Sequence, residues 1–291
     1  MVWMDNGFFR HCVGGTLTSV GAVWMTSIVF FRYYKSLLLK QGSFKNSLRF
    51  HRNNRKPKPL YIFMAFPLVG TLSKSESFFI LLLHRVCGHS GCETLELYYA
   101  YPDWKTRSLH HLTIFVPFEL LLVTVLMRIR KWRVPKGVEY LLFALSFSSE
   151  GILYYFHLER SSLDTTIHTH LCFIDVGIVL STLLELTQPG SIFPALARCF
   201  FSITNGFQYY IAAEMLHPIF QDNYNEESHK VIRMIPVYFA WNMFFSLVVM
   251  IWIGRREYRN VLALKEAQIY QLITDDVHDL DAQKPLNEIN P

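Results

Sequence analysis

The sequence predicts an all-α fold: a polytopic membrane protein, a bundle of seven transmembrane helices with its N-terminus outside the cytosol and its C-terminus inside. Three observations predict it. Apolar residues make up 51% of the 291, charged residues only 18%, and mean hydropathy is positive. The charges fall between long apolar runs instead of alternating with them. A soluble helix shows one apolar stripe, whereas a helix that is apolar all round lies in lipid or in a large core. Finally, basic loops alternate with mixed or acidic ones along the chain. The abundant aromatics (24 Phe, 15 Tyr, 6 Trp) suit a chain whose amphipathic rings sit at bilayer interfaces.

A helix needs about 20 apolar residues to cross the hydrocarbon. Seven segments qualify: 13–31, 60–83, 111–127, 138–156, 167–186, 192–216 and 231–253. The first has no strongly basic stretch before it and no small-residue cleavage site after it, so it reads as a retained helix, not a signal peptide. The second is the weakest. It is apolar from Leu60 to Leu72, contains Pro67, and is broken by Ser73-Lys74-Ser75-Glu76-Ser77 before Phe78. The third contains Pro117. On this reading residues 1–254 form the transmembrane domain and 255–291 a cytosolic tail. The tail opens as an amphipathic helix near Arg256. It ends in Asp275, Asp276, Asp279 and Asp281 and then Pro-containing polar sequence, which is expected to be disordered.

Loop charge fixes the orientation, because Lys and Arg in short loops stay on the cytosolic side. Residues 32–58 carry nine basic residues and no acidic one. The loop after the third segment carries Arg128, Arg130, Lys131, Arg133 and Lys136, and Arg255, Arg256, Arg259 and Lys265 follow the seventh. The opposite connections are mixed or acidic, as at Glu159, Asp164, Asp222 and Glu227. This alternation requires an odd number of spans.

The same pattern excludes several function classes. The net charge of +5 lies in loops that topology explains, so it does not indicate nucleic acid. The five cysteines include no C-x-x-C pair, so a zinc ribbon or thioredoxin-type site is not indicated; Cys87 and Cys92 form a disulfide or remain free thiols. Nucleophile-elbow, zincin and phosphate-loop motifs are absent. There is no internal repeat and no pair of Pro-broken helices of the kind inverted-repeat transporters carry. An acidic-Arg-Tyr motif closing the third segment, expected of a receptor coupled to G proteins, is also missing. Gly14, Gly15 and Gly21 permit close packing of the first helix.

The informative residues are polar ones at or within the apolar segments, which are costly there and face the bundle interior. His11, His110, His111, His157, His168, His170 and His217 all fall at segment ends on the non-cytosolic side. Carboxylates lie one to three turns deeper. Glu150 and His157 are seven residues apart on one face, as are His168 and Asp175, and Asp164 stands one turn before His168. Glu119, Glu185, Glu214, Asn205, Gln208 and Asn242 add further polar groups. Imidazole and carboxylate suit Zn or Fe, so Glu150, His157, His168, His170, Asp175, His111 and His217 form a candidate metal or polar cluster. The same groups also serve a proton relay, or polar packing between helices. His110 and His111 point about 100° apart, so one of the two faces any given centre.

Several motifs along residues 11–254 resemble the transmembrane protein 45 family, seven-helix proteins of animals and plants. His11 is followed by Gly15, Gly21 and Trp24, and His111-Leu112-Thr113-Ile114-Phe115 opens the third segment. Glu150-Gly151-Ile152-Leu153-Tyr154-Tyr155-Phe156-His157 is the strongest match. Asp164 with His168 follows, then Glu185 before Pro189, Gly206-Phe207 with His217-Pro218, and Phe239-Ala240-Trp241. Some members carry Trp-His where this chain has Trp241-Asn242, and the second segment and the very basic 32–58 loop also depart. The resemblance implies the seven-helix fold and a membrane location, and it supplies no activity.

Three readings of function follow. The first is a non-catalytic membrane scaffold or regulator, with the polar residues as packing; it is the default. The second is a metal-dependent membrane enzyme acting on a lipid, with Zn or Fe held by His157, His168 or His170 and a histidine of the third segment, and with Glu150 or Asp175 as base or ligand-orienting group. The third is a proton or ion transporter. In all three the expected partner is the lipid bilayer, with no nucleic acid, and neither the organelle nor any protein partner is specified.

Overall fold

The computed structural model describes residues 7–40, 43–45, 48, 102–156, 161–218 and 228–282. Among them are six helices and no strand: α1 Gly7–Leu38, α2 Pro102–Ile129, α3 Val138–Tyr155, α4 Ser162–Thr187, α5 Phe193–Leu216 and α6 His229–Ala282. They match the first and the third to seventh expected segments. The second segment, with Cys87, Cys92 and His157, lies outside the described residues. His110 and His111 fall on the α2 backbone, but their side chains are also outside.

Local chemistry sets the ends. Gly137 precedes α3 with φ 91°, a left-handed conformation that favours glycine. Ser161 caps α4 by accepting from the Asp164 backbone N–H at 3.3 Å. Pro189 follows the end of α4, and Pro194 sits in the first turn of α5, where its missing N–H is harmless. Between α2 and α3, Arg128 donates to Pro135 O at 3.0 Å and to Glu139 Oε2 at 3.0 Å, which ties the turn to both helices.

α5 is the centre of the packing, with α1, α4 and α6 all against it; α6 also meets α1 and α4, and α2 leans on α3, which packs on α4. The largest apolar cluster joins Leu121 and Val125 of α2, Tyr140, Phe143 and Phe147 of α3, and Ile174 and Ile178 of α4. Three helices are long and apolar enough to cross a membrane: α1 over His11–Leu38, α4, and α6 over His229–Thr274. Their outward faces are apolar. Phe173 is 66% exposed on α4 and Trp241 67% on α6, with Phe244, Val248 and Trp252 alongside, while Asp175, Asn242 and Ser246 point inward. Large exposed apolar surface around a polar interior is the arrangement of an integral membrane protein.

Two helix boundaries lie elsewhere than hydropathy alone places them. The boundary placed after Gly254 falls inside one unbroken helix, because α6 continues to Ala282. The chain from 255 to 282 holds no Gly or Pro and many good helix formers, so nothing stops the span from extending beyond its apolar stretch. Asp275, Asp276, Asp279 and Asp281, expected to be disordered, lie on that helix; residues 283–291 are outside the described set. α2 and α4 also begin earlier than their apolar stretches, at Pro102 and Ser162.

Glycine permits the closest helix contact. A Cβ on Gly15 would lie 2.9 Å from Gly206 O, and one on Gly206 would lie 2.7 Å from Ser19 N and 2.9 Å from Ser19 Cα. The α1 and α5 backbones therefore meet directly. Gly206→Ala should destabilise by about 1–3 kcal/mol, because backbone must move. Gly190→Ala, with nothing within 4 Å of the added methyl, should be neutral. Thermal unfolding of the detergent-solubilised variants checks this; equal melting temperatures would refute the close-contact account.

Candidate functional site

The buried faces of α3, α4 and α5 carry polar groups at helical spacing. On α3 they are Tyr140, Glu150 and Tyr154; on α4 Asp164, His168, Asp175, Thr182 and Glu185; on α5 Arg198, Ser202, Asn205 and Gln208, with Tyr209 beside them. Steps of three, four, seven and ten keep each set on one side of its helix. The three sets meet in two centres.

The first centre joins Glu150, Tyr154, Tyr209, Asp175 and Asn205. Tyr209 Oη donates to Glu150 Oε1, and Tyr154 Oη donates to the same oxygen at 3.2 Å. The two phenol oxygens are 2.5 Å apart. Asp175, 1% exposed, accepts from Asn205 Nδ2 at 2.8 Å and lies within electrostatic reach of Glu150. Gly151 makes this approach possible, since a Cβ there would be 3.3 Å from Asp175 Cβ. Cys172 Sγ donates to Gly151 O at 3.3 Å, joining α4 to α3 at the same level. One layer further, Asn242 of α6 donates to Thr204 O at 3.0 Å and Gln208 Oε1 at 3.1 Å.

Three buried atoms of this region, Asp175 Oδ2, Asn205 Oδ1 and Gln208 Nε2, have no hydrogen-bond partner among the described residues. Buried polar atoms are almost always paired.

The second centre lies near the far ends of the same helices. Arg198, 1% exposed, donates from Nε to Glu185 Oε2 at 2.7 Å, and Tyr140 Oη donates to Glu185 Oε1 at 2.9 Å. The guanidinium also sits 5.5 Å from the Phe143 ring centroid. Arg198 was missed in the sequence, although a lone Arg inside an apolar segment requires an acidic partner and Glu185 was already recognised. Glu257 was missed as well; it accepts from Ser27 Oγ at 2.6 Å and links α6 to α1.

The candidate histidines divide. His168 joins the first centre's edge: its ring lies 5.1 Å from that of Tyr154, and Nδ1 is 2.9 Å from Asp164 O and 3.3 Å from Asp164 Oδ1. His170 stacks on Phe239 of α6 at 4.4 Å, on another side of α4. His217 meets His11 at 5.5 Å, and His11 lies 6.4 Å from Tyr209. The structure thus brings Glu150, Asp175 and His168 into one region and sends His170 elsewhere. Among the described residues no group of three or more His, Cys, Asp or Glu is disposed to hold a metal ion. The side chains of His157 and His111, on which a Zn or Fe site would draw, lie outside that set.

No known family model matches the chain.

Breaking a buried ion pair from one side leaves an uncompensated charge. Arg198→Met should therefore destabilise by about 3–5 kcal/mol, and adding Glu185→Gln should restore much of that. Thermal unfolding of the single and double variants measures it; a double variant no better than Arg198→Met would show that the pair is not the source of the cost.

Proposed function

We propose that this chain is a seven-span membrane protein, N-terminus out and C-terminus cytosolic, that takes up and releases a proton at the Glu150–Asp175 centre as an ion-handling device, not a catalyst. Loop charge supports the count and orientation: Arg128 to Lys136 connects α2 to α3, and Arg255, Arg256 and Arg259 follow the apolar stretch of α6. The second span on this reading is residues 60–83. The ordered motifs from His11 to Trp241 support membership of the transmembrane protein 45 family.

One observation carries the functional reading. Two carboxyl groups are buried on the packed helices α3 and α4, Glu150 bonded by two phenols and Asp175 by an amide, and among the described residues no Lys or Arg is among their hydrogen-bond partners. Two bare negative charges in such a place are very costly, so compensating positive charge is required. A proton fits hydroxyls that either donate or accept, as the Tyr154–Tyr209 pair does. His168 and Asp164 extend the chain toward one helix end, which this topology places on the non-cytosolic side. Arg198 and Glu185 occupy the opposite half, where a paired cation and anion oppose passage of a further charge. The centre is thus open in chemistry toward one side and guarded toward the other. Proton-coupled transport or pH sensing uses such an arrangement.

Purified protein in liposomes with an internal pH dye tests this. An imposed pH gradient should dissipate faster than in empty vesicles, and Asp175→Asn should slow that flux about tenfold or more, by analogy with the share usually carried by a positioned proton-transfer group. Wild-type flux no faster than empty vesicles, with Asp175→Asn changing only the melting temperature, would leave the scaffold reading in its place. About one Zn or Fe per chain on mass spectrometry, lost in His157→Ala, would favour the enzyme reading instead.

A further inference from the structure

The turn between α2 and α3 carries a surface feature that neither polar centre uses. α2 ends at Ile129 and α3 begins at Val138. Arg130, Lys131, Trp132, Arg133 and Lys136 lie between them and are all exposed, the Trp132 side chain by 60%. No Asp or Glu occurs from residue 120 to residue 138. Glu139, the next acidic residue along the chain, is engaged by Arg128, which also donates to Pro135 O at 3.0 Å. The backbone holds the set outward. Trp132 N–H donates to Met127 O at 3.0 Å, and Val134 N–H donates to Trp132 O at 3.0 Å. Lys131 takes φ 62°, a left-handed conformation that is costly for a residue with a Cβ.

Sidedness requires only that basic residues lie on one side of the bilayer. It does not require a large aromatic ring exposed among them on a turn clamped by Arg128. An indole is apolar in body and polar at its N–H, so it favours the layer where hydrocarbon gives way to headgroups. Arg130 stands three residues past Met127, where the apolar stretch of α2 ends, which is about 4.5 Å along a helix axis. The turn therefore stands at that layer. The charge it presents there complements lipid phosphates: Arg grips phosphate oxygens through its planar fork, and Lys attracts them as a point charge.

We propose that the α2–α3 turn binds anionic phospholipid headgroups, with Arg130, Lys131, Arg133 and Lys136 on the phosphates and Trp132 seated at the boundary between headgroup and hydrocarbon. The site rests on the reading of α2 and α3 as membrane spans. With the topology proposed above it lies on the cytosolic leaflet, where anionic lipids are concentrated. It is independent of any proton chemistry at Glu150 and Asp175.

The test uses the full-length protein in detergent micelles, titrated with phosphatidylglycerol and, as the neutral reference, phosphatidylcholine; bound lipid is counted by native mass spectrometry. Phosphatidylglycerol should bind more tightly. Lys131→Gln with Arg133→Gln should weaken its binding roughly 30-fold, from the usual contribution of each basic residue at a membrane surface. Arg255→Gln with Arg259→Gln removes the same charge from α6, which among the described residues packs on neither α2 nor α3, and should cost less than about threefold. Trp132→Ala should cost about fivefold, from the partial burial of a large apolar side chain. All these side chains are exposed, so the substitutions leave the packed helices intact. Equal losses in the two double variants, no loss in the first or in Trp132→Ala, or equal retention of the two lipids would overturn the proposal. Displacement of phosphatidylglycerol by an oligoglutamate peptide at equal concentration would assign the turn to an acidic protein segment and overturn it as well. Binding in micelles does not depend on which way the chain is oriented, so an error in the topology would leave these results unchanged.

Discussion

Hydrocarbon supplies no hydrogen bonds, so a polar side chain placed on an apolar helix must find its partner within the protein: short hydroxyls such as Thr182 and Thr204 bond their own helix backbone, and longer polar side chains reach a neighbouring helix. Most of the architecture follows from that constraint. Glu150 of α3 is bonded by Tyr209 of α5, Asp175 of α4 by Asn205 of α5, Glu185 of α4 by Arg198 of α5, Gln208 of α5 by Asn242 of α6, and Glu257 of α6 by Ser27 of α1. Each contact joins two helices, and nearly all run through or beside α5. Apolar packing fills the space between them, but dispersion alone distinguishes poorly between one rotation of a helix and another. A polar pair makes one rotation far better than the rest.

Small residues let these pairs form. The α1–α5 contact at Gly15, Ser19 and Gly206 brings backbones together, and Gly151 lets α4 approach α3 closely enough for Asp175 to lie near Glu150. Where an added methyl would meet backbone atoms, the helices have no freedom to drift. The two polar centres are therefore held in place by contacts made elsewhere along the same helices.

The centres differ in charge balance, and that difference shapes what each does. Arg198 and Glu185 compensate each other, with Tyr140 occupying the second carboxylate oxygen. Such a pair fixes geometry. Glu150 and Asp175 are both acidic and are bonded by neutral donors, and Asp175 Oδ2 has no partner among the described residues.

The sequence by itself determined the all-α class, the apolar core of each described helix though not every end, and the presence of carboxylates at Glu150, Asp175 and Glu185 within those segments, because hydropathy and spacing along one helix are properties of the chain alone. It also placed His168 on the face of Asp175. It did not reveal which helices face one another, since spacing along a helix says nothing about the neighbour it meets. Only the tertiary structure decided that Glu185 belongs to Arg198, that Tyr154 and Tyr209 bracket Glu150, and that His170 turns to Phe239 while His168 stays with Tyr154. It also decided that α6 runs on past its apolar stretch, where hydropathy falls but helix propensity does not.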